Sequence, residues 1–175
     1  MLKKILLVLV IAVICVGVLA MRQPDTFTVE RRATIPAPPE QVFAQINDFH
    51  NWANWSPWAK LDPNMALSIS NPGAGVGATY EWKGNSDAGE GAMVIKESMP
   101  PSKIMIDLHF IKPIESRNVI SFQLEPKDGG TEVIWTMRGE NTMIGKVMGV
   151  FTSMDKMIGP DFEKGLTQLQ TAVTK

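Results

Sequence analysis

The chain has 175 residues, with 17 basic and 18 acidic side chains, two histidines and one cysteine. Its first 21 residues hold only Lys3 and Lys4 as charges; the 154 that follow carry 15 basic and 18 acidic groups, room for one sizeable core and no basic block to suit a nucleic acid. Cys15 lies in an apolar run and His50 and His109 are the only histidines, so the globular part can have no disulfide, no thiolate nucleophile and no multi-histidine or cysteine-ligated metal site; no cofactor is expected.

Ile5 to Met21 reads ILLVLVIAVICVGVLAM, seventeen residues without a polar interruption. As a helix it would be ~26 Å long, slightly short of a hydrocarbon core of ~30 Å, a mismatch that Lys3, Lys4 and Arg22 can absorb by snorkelling. Residues 1–22 therefore read as a membrane anchor, with a cleaved signal peptide as the alternative because Lys-Lys before an apolar stretch fits one. The run is long for a signal peptide, which favours an uncleaved single-pass anchor through residues 5–21. Charge on the two sides is close to balanced; the short tail inside places the domain on the extracytoplasmic side. Residues 23–26 form a short polar linker, and 27–175 form one domain.

Phe27 to Ile35 alternates, with Phe27, Val29, Ala33 and Ile35 on one face and Arg31 interrupting it; this is a strand with one buried side. Pro36, Pro38 and Pro39 end it. Pro39-Glu40 suits a helix start, with Val42, Phe43 and Ile46 as its apolar face. Asp48 can cap a second helix from Phe49 to about Trp55, closed by Pro57.

From about Ala66 the period changes to two. Val76 to Trp82, Ala92 to Glu97, Ile104 to Phe110, Val119 to Glu125 and Thr131 to Arg138 alternate, separated by turn-like Gly, Pro, Asn and Asp clusters. Gaps this short admit no crossover helix and imply an antiparallel meander. In the last two strands Ile120, Phe122, Leu124, Val133, Trp135 and Met137 face one way, so one sheet face is buried. Glu81, Asp107, His109 and Arg138 fall on the other. After Glu140 the period returns to 3.6. Ile144, Val147, Met148, Phe151, Met154 and Ile158 make one stripe, and Phe162, Leu166, Leu169 and Val173 a second. Gly159-Pro160 separates them, so two helices are expected with the break there. The fold class is α+β.

This order, together with Asn51-Trp52-Ala53-Asn54-Trp55-Ser56-Pro57-Trp58, Gly75 to Trp82, Gly89-Glu90-Gly91, Gly130 to Trp135, Met154 to Gly159 and Phe162 to Leu166, resembles the START-like superfamily, the helix-grip fold. Within it the chain is similar to membrane-tethered polyketide cyclase/dehydrase and lipid-transport proteins. The resemblance spans roughly Thr26 to Val173. It implies a curved antiparallel sheet wrapped around a long C-terminal helix, with an elongated cavity between them for a hydrophobic small molecule or lipid.

The residues expected to line such a cavity are Arg31, Trp55, Trp58, Trp82, Met93, Phe110, Phe122, Trp135, Met137, Met148 and Phe151. Trp52, Trp55 and Trp58 recur every three residues and suit either ligand stacking, a membrane interface or ordinary core. Methionines suit an adaptable pocket or plain core filling. Arg31, inward on its strand, needs a partner; a ligand carboxylate or Glu97 could serve, or it snorkels to water. The glycine-rich stretches from Gly73 to Gly77 and Gly84 to Gly91 lack the Lys-Ser/Thr of a phosphate loop and read as turns and bulges. No convergent catalytic set is visible. The function expected is a membrane-anchored binder or carrier of a hydrophobic molecule. The alternatives are a cyclase or dehydratase that uses Arg31 or Glu97, and a structural domain with a filled core.

Overall fold

The computed structural model describes residues 1–174. Its elements are α1 (Leu2–Met21), β1 (Thr26–Ile35), α2 (Pro39–Asn47), a 3₁₀ turn (Phe49–Asn51), α3 (Trp52–Trp55), β2 (Ala66–Ile69), β3 (Thr79–Lys83), β4 (Glu90–Met99), β5 (Lys103–Lys112), β6 (Ser116–Lys127), β7 (Gly130–Glu140), α4 (Met143–Gly149) and α5 (Met154–Val173). The seven strands form one antiparallel sheet in the order β1-β7-β6-β5-β4-β3-β2. The meander thus runs from β2 to β7, and β1 returns to pair with β7, Arg31 opposite Trp135.

Alternation sets the two sheet faces. Val29, Ile35, Ile95, Ile106, Phe122, Val133 and Trp135 are fully buried on the concave side, while Glu81, Asp107 and Arg138 are exposed on the other. Between β1 and the meander, α2 buries Val42, Phe43 and Ile46. Its last carbonyls would be orphans at a helix C-terminus; the indole N–H of Trp52 donates to Ile46 O at 2.9 Å and that of Trp55 to Gln45 O at 3.0 Å. The tryptophan pair therefore fastens α3 to α2. Asp48 accepts from the His50 amide, and the stretch that follows is a 3₁₀ turn running into one turn of α-helix, rather than the single helix expected.

Two further expectations are corrected. The strand expected from Val76 begins at Thr79, because Gly75 and Gly77 adopt φ of +77° and +88°, values that turn the chain and suit glycine alone. The C-terminal break falls at Val150–Ser153, not at Gly159-Pro160: α5 continues through Pro160. Ser153 accepts from the Lys156 amide and starts the helix. Pro160 deprives the Lys156 carbonyl of its donor, but both residues are exposed and water can take that place.

α5 is seated on the sheet by its buried Phe162, Leu166 and Leu169, and an ion pair at its N-terminal half fixes its position. Asp155, Gly159 and Glu163 recur every four residues and so form one stripe along the helix. Arg31 lies on that stripe: its guanidinium donates to Asp155 Oδ1 at 2.7 Å and Oδ2 at 3.2 Å, and to Glu163 Oε1 at 2.7 Å. Gly159 leaves the space, since a methyl group there would overlap the guanidinium. Asp155 holds the Arg31 pKa above its usual value, with Glu163 adding to the effect. Arg31 lowers that of the Asp155 carboxyl in turn.

Candidate ligand cavity

The concave face is divided into a filled end and a hollow one. At the filled end Trp135 stacks on Phe162 of α5, ring centroids 4.0 Å apart and planes 13° from parallel. Trp55 meets Trp135 edge-on at 5.7 Å, and Phe122 lies 5.0 Å from Trp135. All four side chains are fully buried or nearly so. Gly165 admits this stack, because a Cβ there would come within 2.7 Å of the Trp135 ring. The Trp135 indole N–H is buried without a hydrogen-bond partner among the described residues.

The hollow end is a cavity of about 230 Å³ between α3 with its following loop, the β3–β7 part of the sheet, and the first half of α5. Trp82, Met93, Phe110 and Met137 line it from the sheet and Trp58 from the loop, as does Trp52 from α3. Tyr80, Leu108 and Ile120 complete the sheet wall, and Ile158 and Phe162 the helix wall. The polar residues along it are Ser56, Tyr80, Asp87 and Asp161. Tyr80 is 8% exposed, and its hydroxyl forms no hydrogen bond among the described residues. Burial raises the Tyr80 pKa above its ordinary value. The Trp82 indole N–H is occupied by Ala88 O at 3.0 Å, and this pins the β3–β4 loop over the cavity.

Of the residues expected at the site, Trp58, Trp82, Met93, Phe110 and Met137 are brought together around the cavity. The others lie elsewhere. Trp55, Phe122 and Trp135 are spent on the filled end. Arg31 is held by α5 and faces neither a ligand nor Glu97, which pairs with Lys103 at 2.9 Å. Met148 and Phe151 stand at the α4 end, 38% and 75% exposed, and do not line this cavity. Sequence reasoning missed Tyr80, Leu108 and Ile120, although each occupies an inward position of its strand and alternation could have found them. Asp161 and Asp87 gave no such signal.

Residues 26–174 match the family described as polyketide cyclase / dehydrase and lipid transport. The chain belongs to this family. Solved structures of the same START-like fold include protein CV1439 from Chromobacterium violaceum, 19% identical, with a TM-score of 0.61 over 87% of this chain and 99% of that one. Protein SA2116 from Staphylococcus aureus is 10% identical, with a TM-score of 0.62 over 86% of this chain and 94% of that one. DynU16, from the dynemicin biosynthetic locus, is 13% identical with a TM-score of 0.60 over 87% of this chain, which spans about half of that protein's length, 48%. A comparison with curated proteins gave no match. At these identities the structures show the fold, and the polyketide cyclase / dehydrase and lipid transport family supplies the class of ligand: hydrophobic.

One further surface adjoins the domain. The helix α1 is long and apolar enough to cross a membrane, and almost none of it is buried. Its C-terminal end touches the domain through Ala20, which is 1% exposed. Beyond it Lys146 of α4 pairs with Asp25, and Asn141 donates to Pro24 O at 3.1 Å. Met143, Ile144, Val147, Met148 and Phe151 of the α4 region are exposed beside this junction.

Proposed function

We propose that the protein is a membrane-anchored binding domain for a small hydrophobic molecule. The cavity carries the reading. It is lined mainly by aromatic and aliphatic side chains, with a few polar groups, the usual composition of a small-molecule site. Its 230 Å³ is below the roughly 300–1,000 Å³ of drug-sized ligand sites, so a compact ligand, or one end of a longer one, fits. The open volume argues against a purely structural domain with a filled core. Arg31 and Glu97, the groups weighed for acid–base chemistry, are both in ion pairs away from the cavity, and this favours binding over catalysis.

The apolar α1 and the exposed apolar side chains of α4 next to its end support an uncleaved anchor over a signal peptide, with the domain held close to the bilayer. In this reading the Lys3-Lys4 tail lies inside and the domain on the extracytoplasmic side.

Native mass spectrometry of the full chain, released from nanodiscs, is expected to show a bound apolar compound. Ile120→Trp, which fills the cavity from the sheet, should lose that compound while retaining a cooperative unfolding transition. Recovery of the same compound from the filled variant would refute the assignment.

A further inference from the structure

We propose that the cavity selects an amphiphile with a cationic end, a quaternary or protonated amine, over an anionic one. The proposal rests on the ligand-binding reading above and names the chemistry of that ligand. Its first ground is charge. Two carboxylate residues, Asp87 of the β3–β4 loop and Asp161 of α5, line the cavity, and among the described residues no lysine, arginine or histidine does. Neither aspartate is in an ion pair among the described residues, whereas Asp155 and Glu163 on the same helix are both engaged by Arg31. Asp87 is exposed and Asp161 half-buried, which places negative charge toward the mouth.

The second ground is the aromatic wall. Tyr80, Trp82 and Phe110 form a chain of rings with centroids 6.2 Å and 5.8 Å apart, the second pair at 86° between planes. On the opposite wall Trp58 meets Phe162 at 6.1 Å and 77°. Rings set edge to face do not cover one another's faces as a parallel stack does, so this lining offers an alkylated ammonium, which water solvates weakly, uncovered aromatic faces to lie against. The third ground is Tyr80 itself: more than nine-tenths buried, it presents an unpartnered hydroxyl that accepts from a protonated amine as readily as it donates to a neutral ligand. An anionic ligand would meet two like charges and no counter-charge, so it would have to bind protonated or bring its water along.

The apolar part of the ligand then lies against Met93, Leu108, Ile120 and Met137, with its cationic end between Trp58, Trp82 and the two aspartates. This orientation differs from that of a fatty-acid site, where a basic or multiply donating group meets the head.

Three probes that share one ring and differ in charge test this: benzyltrimethylammonium, benzyl alcohol and benzoate. Each is titrated by tryptophan fluorescence against the full chain in nanodiscs of neutral lipid, with empty nanodiscs as the blank. The cation should bind about tenfold more tightly than benzoate, with the alcohol between them. In Asp87→Asn/Asp161→Asn that ratio should fall to within about twofold while benzyl alcohol keeps its affinity. Benzoate binding as tightly as the cation, or a preference that survives in the double variant, overturns the proposal but leaves the binding reading in place. Failure of all three probes to bind removes both.

Discussion

Trp135 is the side chain on which the filled end of the core depends, and its truncation is the sharpest test of how the concave face is packed. It is fully buried, stacked on Phe162 at 4.0 Å and in edge contact with Trp55 and Trp58 at 5.7 Å and 5.8 Å. Removing a buried indole costs about 3–5 kcal/mol in lost transfer free energy and in the cavity left behind. The unpartnered N–H of Trp135 acts the other way: a buried donor without an acceptor is itself unfavourable by about 1–3 kcal/mol. Trp135→Ala should therefore destabilise by about 3 kcal/mol, the low end of the range. Trp135→Phe keeps a ring against Phe162, sheds the orphaned donor and should fall within about 1 kcal/mol of wild type. Both are read from urea unfolding of the full chain in mild detergent, by near-ultraviolet dichroism, with the midpoint compared at constant m. A loss below about 1 kcal/mol for Trp135→Ala would mean that the sheet faces are reversed. An equal loss for both variants would mean that the N–H has a partner.

The Arg31 clamp gives a pH signature. Because Arg31 lowers the Asp155 pKa from its ordinary value of 3.8, the pair contributes stability above the unfolded carboxyl's pKa, and this is lost as pH falls through the lower folded value. Arg31→Met should flatten the decline in stability below about pH 4, and an unchanged acid limb would count against the clamp. Gly159→Ala should destabilise even though alanine is the better helix former by up to about 1 kcal/mol, since its methyl displaces the guanidinium; a stabilised variant would show that Arg31 moves aside freely. Phe151→Ser should reduce the depth at which α4 meets the bilayer, measured by quenching with brominated lipids of a tryptophan placed at Met148; equal quenching in both backgrounds would place α4 away from the membrane.

Most of the fold was legible from period alone. Alternation put Phe122, Leu124, Val133, Trp135 and Met137 inward, and all are buried. The proline before Glu40 and the Asp48 cap located α2 and the turn that follows. Local signals misled where two of them competed. Gly159-Pro160 reads as a helix boundary, yet Ser153 supplies the cap and Gly159 is there for a contact with Arg31, 128 positions away along the chain. Likewise the inward alternation of Arg31 said that it needed a partner without saying which. The candidate site was half-legible for a related reason. Being inward on a strand is a property of sequence, so Trp82, Met93, Phe110 and Met137 could be named. Being beside a void is not.

The sequence by itself determined which side chains turn inward, that a single antiparallel sheet carries them, and that an apolar segment of membrane length precedes the domain, because each of these follows from periodicity, turn chemistry and composition within a short stretch. Only the tertiary structure decided where the concave face is filled and where it is hollow. That depends on how α5 is seated: Arg31 holds Asp155 and Glu163, Gly165 lets the helix close on Trp135, and the stack with Phe162 uses up one end of the sheet. The remaining space, between Trp58 and Trp82, is what the packing of distant residues leaves over, and no local pattern records it.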